Sequence, residues 1–281
     1  MINKIAIIGA GTMGSGIAHV FSSYGFKVYL VDSEQINLDK GLNSINNNME
    51  RQVKKGSITS EQKMSFISNI TPIIGHKNID NRIDLAIEAI YENKSAKLSI
   101  LKDLDMLLDH NCIIASNTSS ISITELAKNL RSDKFLGMHF MNPAPFIQLV
   151  ELIRGYSTSN ETFKTIYELI LKINKMPVEV CDYPGFISNR ILMLMINEAI
   201  FTLYEGVAKA EDIDKIIKLG MNHPMGPLTL ADFIGLDVCL AIMDILYEGF
   251  NDSKYRPCPL LKKMVNAGKL GKKTKSGFFE Y

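Results

Sequence analysis

Cysteine is scarce and scattered. Cys112, Cys181, Cys239 and Cys258 are the only four in 281 residues, and none forms a C-x-x-C pair. That pattern speaks against a zinc site or a disulfide framework and fits a reducing compartment, so no metal is expected. An excess of charge of one sign is missing too: 31 basic residues face 30 acidic ones, for a net charge of +1. A strongly electropositive nucleic-acid binder is disfavoured on that count. Long apolar runs are also lacking. The most apolar stretch, residues 191–196, gives way to Asn197 and Glu198, far short of the roughly 20 residues a bilayer crossing needs. The first apolar run begins at Ile5 and stops at Gly9, so no signal peptide is expected. No repeat or low-complexity tract stands out beyond an asparagine cluster at 46–48. A cytoplasmic chain with no membrane and no nucleic-acid partner is the expectation.

What the sequence does contain is ordinary globular composition, 46% apolar and 22% charged. Its length is ample for one large core or two modest ones. Lys4-Ile-Ala-Ile-Ile8 is apolar and β-branched and stops at Gly9, which reads as a buried parallel strand. A helix over 13–24 and a second strand over 27–31 follow, the size of a βαβ unit. Residues 35–55 are long, polar and amphipathic, and Thr59-Ser-Glu-Gln62 is a capping box. Further strands are expected at 71–74, 84–88, 112–115, 135–140 and 149–153, with Pro72 confining the first to an edge or a strand start. Helices fit 94–109, a start capped by Ser122, and 161–172. This alternation implies a mostly parallel, Rossmann-type α/β sheet with helices on both faces.

At Pro184-Gly185 the pattern changes. Residues 186–204 are apolar nearly all round, so that helix should be buried. Helices also fit 210–219, 236–247 and 260–265, with no convincing strand after Val180. The expected division is a dinucleotide-binding domain over 1–183 and an all-helical domain over 184–281. The second is small and should cover its apolar helix against the first domain and a second copy of itself.

Gly9-Ala-Gly11-Thr-Met-Gly14 fits G-x-G-x-x-G directly after a strand and at the start of a helix. Gly9 permits the tight turn, Gly11 lets the backbone approach a pyrophosphate, and Gly14 allows close packing. The helix N-terminus, with Thr12 and Met13 in its first turn, faces the phosphates. Asp32, about 20 residues on, can accept hydrogen bonds from the ribose hydroxyls and repel a 2′-phosphate, which favours NAD over NADP. A flavin would satisfy the same fingerprint.

Among five histidines, His139 stands apart because it ends an expected strand just before Asn142-Pro143. Open parallel sheets bind ligands outside the carboxyl ends of their strands. A histidine base needs a group that orients its ring and stabilises the imidazolium. Glu151, alone among Leu149, Val150, Leu152 and Ile153, is costly to bury unless paired, and His139 is its obvious partner; the alternative is a solvent-facing edge position. Asn117-Thr-Ser119-Ser120 follows another strand end, where short polar side chains suit a ligand or an ordinary turn. Asn189 opens the apolar helix past the break.

Taken in order, residues 9–14, Glu88-Ala-Ile-Tyr-Glu92-Asn93, Ser116-Asn-Thr-Ser-Ser120, Gly137-Met-His-Phe-Met-Asn-Pro143, Pro184-Gly-Phe-Ile-Ser-Asn-Arg190, Pro224-Met-Gly-Pro227 and Gly271-Lys-Lys-Thr-Lys-Ser-Gly-Phe278 form an ordered set. With it the chain resembles the 3-hydroxyacyl-CoA dehydrogenases over nearly its whole length, most of all the bacterial single-function enzymes for 3-hydroxybutyryl-CoA. The resemblance implies reversible hydride transfer between C3 of an (S)-3-hydroxyacyl-CoA and NAD. It implies that His139 is the general acid/base, that Glu151 supports it, and that Ser119 and Asn189 hold the substrate. Glu92, Lys97, Ser119, Asn142 and Lys273 match positions that contact the dinucleotide. Arg51, Lys54 and Lys55 lie where the family binds the CoA phosphates, and their charge suits that task. A homodimer through the helical part is implied as well. Two competitors stay open: another two-domain dehydrogenase with a lysine base, and a silent NADH-binding protein.

Overall fold

The computed structural model describes residues 2–281, which divide into two compact units, one up to Asp182 and the other Tyr183–Tyr281. In the first, the β-branched run Lys4–Ile8 (β1) is buried and ends at the glycine turn. Helix α1 (Thr12–Ser23) returns along the sheet to β2 (Lys27–Asp32). The amphipathic stretch forms α2 (Gln35–Lys54), with Leu38, Ile45 and Met49 on its buried side. Thr59 caps α3 (Ser60–Ser68) with the full reciprocal pair of hydrogen bonds to Gln62. Strand β3 (Ile70–Ile74) pairs only with β2. An edge tolerates the missing N–H of Pro72.

The alternation continues with β4 (Leu85–Glu88), α4 (Lys94–Leu107), β5 (Ile113–Ser116), the single turn α5 (Ile123–Leu126) and β6 (Phe135–Phe140). Strand β7 (Leu149–Arg154), α6 (Asn160–Lys172) and β8 (Met176–Cys181) complete one eight-stranded sheet in the order β3-β2-β1-β4-β5-β6-β7-β8. All neighbours run parallel except β6 and β7. The link from Phe140 to Leu149 is too short for a crossover helix, so the chain has to double back. Strand β8 was not singled out by sequence pattern, because Pro177 interrupts it. Order reverses between β1 and β4, which opens a crevice at the carboxyl ends of these strands.

The second unit is helical: α7 (Ser188–Tyr204), α8 (Ala210–Gly220), α9 (Pro227–Ile234), α10 (Leu236–Phe250) and α11 (Pro259–Asn266). Met193, Ile196 and Ile200 of α7 join Leu228, Leu236, Met243, Leu246 and Leu261 in its core. The expectation that α7 is buried on every side needs correction within one chain. One face packs on α9, α10 and α11, while Ile191 is 66% exposed. Helix α9 escaped the sequence pattern because Pro224 and Pro227 make its start look like a loop. Proline at the first helical position is nevertheless a start signal.

Candidate active site

The glycine turn is held by sterics that only this sequence meets. Gly9 has φ +109°, and a Cβ there would lie 2.6 Å from the Ala89 carbonyl oxygen. A Cβ on Gly14 would lie 1.8 Å from the Gly9 carbonyl oxygen, so α1 can seat against the turn only as it stands. Gly11 is the N-cap, with no side chain to cap the first N–H groups, and the space beside it is open. Thr12 and Met13 form the first turn that follows. Asp32 ends β2 beside this turn. Its Oδ2 accepts from the Ala10 N–H at 2.9 Å, and its Oδ1 accepts from Asn37 Nδ2 at 3.0 Å and the Glu34 N–H at 3.2 Å. Burial pushes this carboxyl up, but the hydrogen bonds from Ala10, Asn37, Glu34 and Ser33 prevail and leave it below its ordinary value. Gly9, Gly11, Asp32, Asn37, Ile90 and Tyr91 share a cavity of about 570 Å³. Asn37 was not foreseen; an amide in the first turn of the helix that follows the acid closing β2 is the signal that could have found it.

His139 and Glu151 face each other across the antiparallel β6–β7 pair. Imidazole Nδ1 and Glu151 Oε2 are 2.8 Å apart, and the two residues are only 7% and 2% exposed. Glu151 therefore does not face solvent on an edge. Strand β8 covers β7 on its other side. A buried carboxylate against a ring nitrogen fixes the tautomer and orients the ring. Ser119 follows β5, the neighbour of β6, and Asn117 Oδ1 accepts from the Phe140 N–H at 2.9 Å, so the two strand ends are tied together. Asn142 is exposed just beyond β6.

Glu92 gathers the Ser119 loop. Its Oε1 accepts from the N–H groups of Ser119 and Ser120 at 2.9 and 3.2 Å, and from the hydroxyls of Thr118, Ser120 and Ser119 at 2.5, 2.9 and 3.3 Å. Desolvation against the Ser119 loop pushes the Glu92 carboxyl up, although its side chain is still 35% exposed; the Lys97 charge and the hydrogen bonds from Thr118, Ser120 and Ser119 outweigh it and hold the carboxyl below its ordinary value. Lys97, matched to a dinucleotide contact, is 1% exposed, and its ammonium lies against Glu88, Glu92 and the Ile90 carbonyl.

The remaining expected residues lie apart from these. Arg51, Lys54 and Lys55 are exposed at the C-terminal end of α2, with Arg51 bonded to Asn47 and Asn48. Asn189 and Lys273 belong to the second unit. Asn189 is half-buried in the first turn of α7, and Lys273 Nζ pairs with both Asp237 oxygens at 2.5 and 2.6 Å. Among the described residues, no group of His, Cys, Asp and Glu could hold a metal, and no helix is long and apolar enough to cross a membrane.

Comparison with known proteins agrees with this layout. The NAD binding domain of 3-hydroxyacyl-CoA dehydrogenase matches residues 4–183, and the C-terminal domain of the same family matches 185–281. The chain is 51% identical to the 3-hydroxybutyryl-CoA dehydrogenase of Bradyrhizobium diazoefficiens, over 100% of this chain and 96% of the relative. It is 49% identical to the enzyme of that name from Clostridioides difficile, over 99% of each. The crystal structure of (S)-3-hydroxybutyryl-CoA dehydrogenase PaaH1 from Ralstonia eutropha superposes with a TM-score of 0.97 at 46% identity, over 100% of this chain and 99% of that one. Matched in both parts and in order, the chain belongs to the 3-hydroxyacyl-CoA dehydrogenase family, enzymes built on an NAD-binding domain.

Proposed function

We propose that the protein catalyses the reversible NAD-dependent oxidation of (S)-3-hydroxybutyryl-CoA to acetoacetyl-CoA. The observation that carries this is the buried His139–Glu151 hydrogen bond at a strand end beside the Ser119 loop. The short-chain substrate rests on the names of the relatives at about 50% identity. The residues present suit NAD: an uncapped helix start for the pyrophosphate, and an ionised Asp32 for the ribose hydroxyls.

NAD, when bound, supplies the hydride acceptor for C3. Neutral His139 removes the proton of the C3 hydroxyl, and Glu151 stabilises the imidazolium that forms. In the reverse direction the protonated ring donates to the C3 oxygen. General acid–base catalysis of this kind contributes roughly 10²–10⁴-fold. Ser119 and Asn189 position the C3 oxygen and the thioester region. Residues 9–14 with Thr12 and Met13, together with Glu92, Lys97, Asn142 and Lys273, line the dinucleotide. Arg51, Lys54 and Lys55 meet the CoA phosphates, the lysines as point charges and Arg51 through its planar guanidinium.

The chain works in the cytoplasm, as a homodimer joined through the second unit. Support for the dimer is apolar surface that a single chain leaves open there, Ile191 at 66%, Val207 at 71% and Leu219 at 75% exposed. Sedimentation at micromolar concentration should give twice the chain mass. For the reaction, purified protein should oxidise NADH when given acetoacetyl-CoA. His139→Gln should lose most of kcat and keep its NADH affinity. Turnover retained in that variant rejects His139 as the acid/base, and NADH binding without any acyl-CoA turnover in the parent rejects the reaction.

A further inference from the structure

Lys175 sits in the turn between α6 and β8 and is only 6% exposed. Among the described residues no carboxylate pairs with its ammonium, and burial pushes its pKa below the ordinary value. Taking a charge out of water without a counter-charge is expensive, and a methionine of similar length fills the same space without that cost. What the ammonium holds indicates its task. Nζ donates to the Ala144 carbonyl at 2.7 Å and to the Ile147 carbonyl at 2.6 Å. Both carbonyls belong to the link 141–148 that joins β6 to β7. The N–H of the next residue, Met176, donates to the Gln148 carbonyl at 2.9 Å. Within the link, the N–H groups of Phe146 and Ile147 donate to the Pro143 carbonyl at 3.0 and 3.1 Å. The arm that carries Lys175 is itself fixed. Its N–H donates to the Ile170 carbonyl at 3.1 Å, and Ile170 and Ile173 are 0% and 1% exposed. On its other side the link lies on α1, where a Cβ on Gly16 would be 3.2 Å from Ala144 Cβ and 3.5 Å from Pro145 Cδ.

We infer that Lys175 is a positioning residue of the proposed reaction: its ammonium clamps the 141–148 link and so holds Asn142 and the His139–Glu151 pair in one register. This rests on the dehydrogenase reading for its kinetic part only. The link leaves β6 just after His139 and Phe140 and enters β7 just before Glu151. A two-residue turn sets the register of an antiparallel pair by itself; a link of this length does not. A slip of one residue would turn Glu151 to the opposite face of the sheet from His139. One buried cation that gathers two carbonyls of the link closes that freedom, because both bonds break if the link slides. A methionine at this position offers no donor and leaves both carbonyls without their partner. A cavity of about 340 Å³ beside Lys175, lined by His19, Gln52, Phe146 and Gln148, leaves room for a larger cation.

The test compares Lys175→Met, Lys175→Gln and Lys175→Arg with the parent. Ile166→Val, a buried position of α6, serves as a control that lowers stability and leaves both carbonyl bonds in place. Four quantities are read: melting temperature, NADH affinity by fluorescence, kcat and KM with acetoacetyl-CoA, and amide exchange of the peptide spanning 144–150. In Lys175→Met, exchange at Phe146 and Ile147 should quicken by about fivefold or more as the link loosens. Its kcat should fall by roughly 10²-fold, the usual scale for a displaced reacting geometry, while KM and NADH affinity change less than about threefold. Lys175→Arg keeps the charge and the donors, so it should recover part of kcat. Lys175→Gln is a shorter, neutral donor, and its kcat and exchange should lie between those of the Met and Arg variants. It decides the matter if Lys175→Met does not fold. A folded Lys175→Met or Lys175→Gln protein with parental kcat overturns the proposal and leaves Lys175 a packing residue. So does an Ile166→Val protein that loses kcat in the same proportion to its melting temperature, since activity then follows stability. A parent without acyl-CoA turnover rejects the reaction instead, and the exchange data still decide the clamp.

Discussion

Glu151→Gln tests the chemistry with little disturbance of shape. The side chain is 2% exposed, and the amide is nearly the same size as the carboxylate, so no cavity forms and a hydrogen bond to His139 Nδ1 stays within reach. What is lost is the charge that faces the imidazolium. With Nδ1 and Oε2 2.8 Å apart, the charge centres lie about 4 Å apart, worth about 4 kcal/mol at an effective dielectric of about 20. In oxidation the imidazolium forms as the proton leaves the C3 hydroxyl, so this stabilisation develops along the reaction and is absent from the neutral ground state. At 1.36 kcal/mol per decade the loss corresponds to roughly 10³-fold in kcat for oxidation. KM for the hydroxyacyl-CoA and NADH affinity should change far less, because neither draws on that charge. Stopped-flow oxidation of (S)-3-hydroxybutyryl-CoA reads the chemical step directly, with NADH formation followed by absorbance. A variant within about tenfold of the parent in that step refutes the argument, since an effective dielectric low enough to matter would then be absent from the site.

Three other outcomes follow from the geometry. Asp32→Ser removes a carboxylate that would oppose a 2′-phosphate in the proposed mode of binding, so the preference for NADH over NADPH in kcat/KM should shrink by about tenfold or more; an unchanged ratio means that Asp32 does not set selectivity. Gly14→Ala puts a Cβ 1.8 Å from the Gly9 carbonyl oxygen, so α1 must shift, with a loss of about 1–3 kcal/mol or more in denaturant unfolding and weakened NADH binding. His19 is 3% exposed, its Nδ1 has no hydrogen-bond partner, and burial pushes its pKa from 6.5 down to about 4. The unfolded chain therefore binds more protons between those values. The stability that neutral His19 provides is complete above pH 6.5 and lost as pH falls through 4, about 2 kcal/mol of it by pH 5. His19→Leu should flatten the stability–pH curve by that amount, and a curve parallel to the parent's refutes it.

How much of this was legible depended on where each signal was local. The β1–turn–α1–β2 unit could be read because an apolar run stops at Gly9 and an acid closes the next strand. The Thr59 and Ser122 caps could be read because capping is a contact between residues three apart. The His139–Glu151 pair was legible from cost: an acid inside an apolar strand needs a partner. The same argument applied to Glu88, which ends Leu85–Glu88, would have found another buried carboxylate of the sheet. Its partner Lys97 hid in α4, a helix whose leucine face drew attention away from one buried lysine. Strand β8 and helix α9 were obscured by prolines, which mark both breaks and starts. The exposed side of α7 was not legible at all, because an apolar helix carries no mark of whether its cover comes from its own chain or from another.

The buried polar residues near the carboxyl ends of β4 to β6, with Glu151 facing them from β7, set a limit on how this site can be probed. Glu88, Lys97, Ser116, Thr118, His139 and Glu151 are each less than 9% exposed, in a sheet whose remaining inward positions are almost all apolar. Glu88 and Lys97 hold each other and are held by neighbouring backbone and hydroxyl groups as well, and His139 and Glu151 face each other. Removing one member of such a pair costs about 3–5 kcal/mol, a large share of the 5–15 kcal/mol that holds a typical domain together. A single truncation at Lys97 therefore lowers activity through unfolding as well as through the dinucleotide site, and a rate alone cannot separate the two. The double substitution Glu88→Gln/Lys97→Met can, because neutralising both members lifts the burial penalty while the cation stays absent. Conservative replacements at His139 and Glu151 work for the same reason: they change one charge or one proton and leave the packing in place. If the stable double variant at Glu88 and Lys97 binds NADH poorly while the single Glu151→Gln variant is equally stable, binds it normally and is slow, the two buried pairs have distinct tasks, one in the dinucleotide site and one in moving the proton.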